Sequence, residues 1–344
     1  MQENNERLAN CGATWRLPGE ATYCALRGNP VTLAHLGDAG DREGFIFAPF
    51  DTEGPTPTMF FCGTAERHAL PAVMPSAPVA SAADIVTGGD DFRGEFVKAH
   101  ALLRSGGLAK IVLSGHEDMA IDLRGAAESL FFRACLMYRD AFVAMVSLPN
   151  GDTWLMATPE MLLRGRGRTV ETMSLAGTRI AGDTSEWDAK NLREHGVVSQ
   201  FIEERLGGLA DNVRSEGPLT LNAGAVSHLM TRFNARLREG KTTWDAAQLL
   251  HPTPAMCGMP QHEAKAAILR IEKTAREYFS GVAGVAHGGG DVDLYVVIRC
   301  MRLGKGLVRL FSGVGLMPDS EEESEVREVT AKRETMKNVI FEKE

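Results

Sequence analysis

Apolar residues in this chain of 344 come mostly in short runs, and short runs bury themselves best by pairing as strands. VTLAHL, FIFAPF and MFFCG in the first 75 residues, LAKIVLS at 108–114, and the pair AFVAMVSLP and DTWLMATP all have strand length. So do DLYVVIRCMRL and GLVRLFSGVGL nearer the end. Asn150–Gly151 between two of these runs reads as a hairpin turn. PAVMPSAPVASAAD (71–84), with three prolines, reads as a connector.

Helical spacing appears in fewer places. DFRGEFVKAHALLRSGG carries Phe96, Val97, Ala101, Leu102 and Leu103 at helical intervals and stops at Gly106–Gly107. ESLFFRACLMYRD (128–140), TWDAAQLLHP and EAKAAILRIEKTAREYF (263–279) read as further helices, the second ended by Pro252. SEWDAKNLREHGVVSQFIEERLGG (185–208) is opened by a serine and closed by Gly207–Gly208, with Leu192, Val197, Val198, Phe201, Ile202 and Leu206 as one stripe. EEESEVREVTAKRETMKNVIFE is the last helix. The sum is an α+β fold of mainly antiparallel strands, read as a single large domain over 1–344. Residues 1–85 are read as its irregular N-terminal part and 86–340 as its main, more strongly patterned region.

Composition narrows the function classes. Hydrophobic residues at 44% and charged residues at 24% are ordinary for a globular protein. No stretch approaches the roughly 20 apolar residues of a membrane span. The start, MQENNERLANCGATW, lacks a basic and then apolar leader, so the cytoplasm is the expected compartment. The six cysteines form no CxxC pair and none stands beside a histidine at zinc-ligand spacing, which points to free thiols in a reducing compartment. A net charge of -8 without a basic tract excludes nucleic acid as the main partner.

Several charged residues stand where chemistry could use them. Glu325, Glu328 and Lys332 are spaced i, i+3, i+7 and share one helical face. The helix at 185–208 presents Glu194 and His195 likewise, and two such faces could supply carboxylates to one hard cation such as magnesium. Each could equally be a solvated face. Lys110 shares a strand face with Leu108 and Val112. It is either an edge lysine or a desolvated one usable as a general base. Glu160 in TPEMLLR follows a strand, where a closed site could hold it protonated as a general acid. The glycines of HGGGD (287–291) lack a Walker lysine and read as a turn.

Eight segments, in this order, resemble the chorismate-binding enzymes, the family of anthranilate, aminodeoxychorismate, isochorismate and salicylate synthases. They are KIVLS (110–114), TPEMLLR (158–164), LAGTRIAG (175–182), LREHGVV (192–198), HPTPAMCGMP (251–260), VVIRCMRL (296–303), FSGVGLMPDS (311–320) and EVREVTAK (325–332). The resemblance implies two packed, mainly antiparallel sheets flanked by helices, chorismate as substrate and Mg2+ as cofactor. By position, Glu194 and Glu328 match the family's magnesium-binding glutamates, with Glu325 as a supporting acid. Arg299 and Lys332 match residues that contact substrate carboxylates. Gly177, Thr178, Gly313 and Gly315 match the pocket lining, and His251, Ala255 and Met256 belong to the segment beside the ring.

The members differ in their nucleophile. Those that add water carry a lysine where Lys110 stands, whereas anthranilate synthases typically have glutamine. Aminodeoxychorismate synthases carry a lysine at the position of Ala176, and no glutaminase-like domain is fused here, so no glutaminase subunit is expected. The resemblance therefore favours isochorismate synthase, an isomerase, with Lys110 as general base and Glu160 as general acid. The product would feed menaquinone or a catechol siderophore. Salicylate synthase is the main rival, then anthranilate synthase component I, then a degenerate chorismate-binding or scaffold protein. The expected assembly is a monomer or homodimer. Three departures stand out: Gly115 follows Ser114 where the family has arginine, Asn191 follows Lys190 where it has an acid, and Gly196 follows the Glu194–His195 pair where it has a larger residue.

Overall fold

The computed structural model describes residues 11–79, 85–89, 91–223 and 226–342. Its described residues form two large antiparallel sheets. In spatial order the first runs Gly258–Met259, Lys110–Met119, Leu307–Leu316, Cys300–Gly304, Thr153–Thr158, Phe142–Ser147, Gly12–Arg16, Thr22–Arg27 and Glu66–Ala69, with Thr87–Gly89 also paired to Lys110–Met119. The second runs Ala210–Ala223, Val226–Leu237, Thr169–Ile180, Met161–Arg166, Val292–Val296, Val282–His287, Glu43–Ala48, Thr58–Cys62 and Val31–Leu33. The six α-helices are α1 (Phe92–Arg104), α2 (Ala127–Met137), α3 (Ala189–Leu209), α4 (Thr243–Leu250), α5 (Gln261–Ile271) and α6 (Glu322–Ile340). This is the expected α+β architecture, two sheets with helices outside.

Apolar side chains from both sheets meet in an aromatic layer between them. Trp154 stacks on Phe311 at 5.1 Å, Phe311 on Phe279 at 5.6 Å, Phe47 on Tyr278 at 3.9 Å and Phe142 on Tyr295 at 4.1 Å. Fully burying a side chain of this size contributes about 1.5–3 kcal/mol. The outer face of the second sheet packs on α3 and α4, and that of the first on α2 and α6. Helices α1 and α5 cover Lys110–Met119 and Leu307–Leu316.

The chain crosses between the sheets at two adjacent places. Pro159 and Glu160 lead from Thr153–Thr158 of the first sheet into Met161–Arg166 of the second. Val297–Arg299 leads back from Val292–Val296 to Cys300–Gly304. VVIRCMRL is thus two strands in two sheets rather than one strand, and its apolar residues run on without alternation because both sides of the break are buried. The crossings are tied together, since Val296 N donates to Glu160 O at 3.0 Å and Ala157 N to Arg299 O at 3.0 Å. Arg299 makes its turn with φ +48, a left-handed conformation rare outside glycine.

Three helix boundaries differ from the sequence reading. Helix α3 begins at Ala189, capped by Asp188, whose side chain accepts from Asn191 N at 2.7 Å; Ser185 lies before it. It runs through Gly207–Gly208, and Leu192, expected in its apolar stripe, is 46% exposed. Helix α5 stops at Ile271 instead of continuing to Phe279. Glu272 leaves the helix to accept from Ser114 N at 2.8 Å and to pair with Arg276 at 2.6 Å. The hairpin Ala210–Ala223 with Val226–Leu237 has no counterpart in the sequence reading. The second half of its inner strand alternates, with Phe233, Ala235 and Leu237 buried and Arg232, Asn234 and Arg236 exposed.

Arg276 is the pin of this region. Besides Glu272 it donates to Val112 O and Met256 O, both at 2.8 Å, and stacks on Phe50 at 4.3 Å. Where the family resemblance leads one to expect an arginine at 115, Arg276 reaches the same strand from a loop. Arg276→Ala leaves Glu272 charged and buried, so it should cost about 3–5 kcal/mol in urea unfolding. A loss below about 1 kcal/mol would contradict this role.

Candidate active site

The two crossings form one wall of a buried pocket. It is lined by Val112, Glu160, Leu175–Thr178, Glu194, His228, Ala255, Met256, Phe279, Ser280, Ile298, Arg299, Ser312, Gly313, Gly315 and Lys332. Of the residues expected at the site, Glu160, Gly177, Thr178, Glu194, Ala255, Met256, Arg299, Gly313, Gly315 and Lys332 therefore meet on one surface. Lys110, Glu325 and Glu328 stand directly behind it, each paired to another charged group of the cluster or tied to one. His251 is not among the lining residues. Its Nε2 lies 3.1 Å from Pro49 O, burial holds its pKa down at about 4, and the contact ties its segment to the second sheet's neighbour loop. A larger cleft of about 1420 Å3 shares only Arg299 with this pocket, while Glu160 and His228, both strongly shifted by burial, line the smaller one.

Lys110 is 0% exposed. Strand Lys110–Met119 has neighbours on both sides and helices over it, which rules out the edge-lysine alternative. Its Nζ lies 3.0 Å from Glu194 Oε1 as an ion pair without hydrogen-bond alignment. Gly315 makes that approach possible, because a Cβ there would overlap Glu194 Oε1 and lie 2.9 Å from Lys110 Cε. Two further pairs surround this one. Lys332 Nζ donates to Glu328 Oε1 at 2.6 Å and to Gly313 O at 2.9 Å, and Lys190 Nζ donates to Glu325 Oε1. Lys190 thus occupies the supporting acid, while Asn191 accepts from Thr178 N at 2.9 Å and fixes the LAGT segment. That segment bulges at Gly177, whose φ of +75 suits glycine.

Burial sets the proton positions. It pushes the Glu160 carboxyl up to about 8 against the opposing charges of Lys110, Lys332 and Arg299, so Glu160 is protonated at neutral pH. Burial and the charge of Glu328 raise Glu325. Burial also acts to raise Glu328, but Lys332 outweighs it and holds that carboxyl below its usual range. Burial brings Arg299 down to about 10, still a cation.

His228, on the hairpin strand Val226–Leu237, is the residue sequence reasoning missed. Its Nε2 accepts from Arg299 Nη2 at 2.9 Å, so its Nδ1 carries the proton and donates to Gly177 O at 2.9 Å. Burial, with Arg299 and Lys332 nearby, holds its pKa down to about 3 and keeps it neutral. It aims the arginine and braces the bulge at once. Period-2 alternation in SHLMTRFNARL could have revealed its strand. His195, by contrast, faces a hydroxyl cluster, 2.8 Å from Thr231 Oγ1 and 3.2 Å from Ser199 Oγ.

The donor set suits a hard divalent cation. Glu325 and Glu328 repel each other, and Glu325 Oε2 is buried without a hydrogen-bond partner. All the donors are carboxylate oxygens, the ligands magnesium prefers. Among the described residues no three His, Cys, Asp or Glu converge as they stand, because each glutamate is drawn to a lysine. The pocket as a whole can hold an anion on Arg299 and Lys332 and offer a proton from Glu160, with Lys110 standing behind Glu194.

Residues 66–341 match the model of the family described as "Chorismate binding enzyme". Isochorismate synthase EntC of Escherichia coli strain K12 is 31% identical over 260 residues, covering 72% of this chain and 66% of that protein's length. The vibriobactin-specific isochorismate synthase of Vibrio cholerae is 26% identical over 353 residues, covering 96% of this chain and 88% of that one. The structure of MenF, the menaquinone-specific isochorismate synthase of Escherichia coli, superposes with a TM-score of 0.80 at 19% identity, over 97% of this chain and 89% of that chain, and so shares the fold.

Gly315→Ala forces Glu194 and Lys110 apart and should destabilise the protein by about 1–3 kcal/mol. At exposed Gly196, inside α3, a Cβ meets nothing within 4 Å. Gly196→Ala should therefore be neutral or stabilise by up to about 1 kcal/mol. Equal effects of the two in thermal unfolding would contradict the steric account.

Proposed function

The chain belongs to the chorismate-binding enzyme family, and on that footing we propose that it is an isochorismate synthase, isomerising chorismate to isochorismate. The observation that carries this reading is the pairing of an enclosed lysine with a protonated carboxylic acid around one pocket. Adding water to a ring carbon while expelling hydroxide from another needs a base and an acid together.

Arg299 and Lys332 bind the substrate carboxylates, Arg299 in the orientation His228 gives it. Lys110 takes a proton from the water that attacks carbon 2. Glu160 gives its proton to the hydroxyl departing from carbon 4, which leaves as water as the double bonds shift. One water enters and one leaves, so the net change is an isomerisation. Mg2+ would be held by Glu194 and Glu328 with Glu325 behind them, and when bound it supplies charge neutralisation for a substrate carboxylate.

No helix among the described residues is long and apolar enough to cross a membrane. The relatives' names place their own products in menaquinone and vibriobactin synthesis, and we propose a comparable supply role here.

Purified protein given chorismate and Mg2+ should yield isochorismate without pyruvate, and chelation should stop the reaction. Salicylate with pyruvate would transfer the assignment to salicylate synthase, and full activity under chelation would remove the metal. A separate prediction comes from Glu160. Its acid form is the reactive one and its pKa lies at about 8, so kcat should fall as pH rises through about 8. A rate that stays flat to pH 9.5 would contradict this role.

A further inference from the structure

Ser280 combines two unfavourable features at one position. It is 0% exposed, and its hydroxyl has no hydrogen-bond partner among the described residues. Its backbone sits at φ +63, in the left-handed region where a side chain is strained and glycine is at ease. Burying an unpaired hydroxyl is unfavourable by itself. Glycine or alanine at 280 would avoid the orphaned hydroxyl, and glycine the strain as well.

The position is also specific. Ser280 lines the pocket that holds Glu160 and Arg299. Its backbone N donates to Val297 O at 2.8 Å, and Val297 N returns a bond to Gly281 O at 2.9 Å. The next residue back, Val296, donates to Glu160 O. Ser280 is thus tied to the second crossing, beside the strand end that is bonded to the first crossing at Glu160. Among the described residues no group saturates its hydroxyl.

We infer that Ser280 is a further substrate-contacting residue. Its hydroxyl hydrogen-bonds the ring hydroxyl that Glu160 protonates, and the orphaned group finds its partner only when substrate is bound. This rests on the isomerase reading above. As the carbon–oxygen bond lengthens, charge develops on the departing oxygen and the bond from Ser280 strengthens. The contact then favours the transition state over the bound ground state.

Ser280→Ala and Ser280→Gly test it. Both should lower kcat about tenfold, the worth of one hydrogen bond of about 1.4 kcal/mol, with KM within threefold of the parent. The melting temperature of the free protein should stay level or rise, most in Ser280→Gly, which removes the orphan and the strain together. A kcat within twofold of the parent in both variants overturns the assignment. A fall in kcat matched by a lower melting temperature in both variants makes Ser280 structural and also overturns it. The parent enzyme with chorismate and Mg2+ is the control: if it forms no isochorismate, the isomerase reading fails first and this inference with it. Turnover in the parent with unchanged variants removes Ser280 alone.

Discussion

Three glutamate–lysine pairs are packed largely out of solvent around one pocket, and much of the structure serves to keep them there. An unpaired charge in such a place costs several kcal/mol, so each carboxylate must lie against a cation. Glu194 meets Lys110, Glu325 meets Lys190 and Glu328 meets Lys332. Arg299 adds one more cation, and Glu160 is kept neutral by its own burial. A dianionic substrate arriving alone would tip this balance negative. A divalent cation arriving with it leaves the balance where it stands, which is the electrostatic case for magnesium.

The fold assembles this cluster from distant pieces. Strand Lys110–Met119 brings the lysine, α3 brings Glu194 and Lys190, and α6 brings Glu325, Glu328 and Lys332. The two crossings between the sheets bring Glu160 and Arg299, with Ser280 tied to the second of them. Gly315 contributes by having no side chain, since any Cβ would keep Glu194 and Lys110 apart. His228 reaches over from the long hairpin to aim Arg299 and hold Gly177. None of these pieces is placed by its own local structure alone.

What could be read in the sequence follows from that. Strand runs, turn residues and helical stripes depend on local pattern, so the α+β class and most elements were legible. Glu325, Glu328 and Lys332 were legible as a face because helical spacing fixes it. Whether that face met water was not, because the answer depends on α6 packing beside Leu307–Leu316. Lys110 posed the same problem: an edge lysine and an enclosed one have identical neighbours in sequence, and only the sheet order decides between them. The break in VVIRCMRL was hidden because both sides of it are buried. His251 was legible as a motif residue, but the contact of its ring with the Pro49 carbonyl was not. Ser280 gave no sequence signal, since its strain and its missing partner are properties of the backbone and the pocket.

The central claim is that a water molecule, activated beside Lys110, becomes the new ring hydroxyl. The most direct measurement is turnover of chorismate and Mg2+ in water enriched in oxygen-18, with the product analysed by mass spectrometry. The account predicts isochorismate carrying one solvent oxygen, located at carbon 2. Isochorismate with no solvent oxygen after a single turnover, meaning that the original hydroxyl had migrated within the ring, would contradict it.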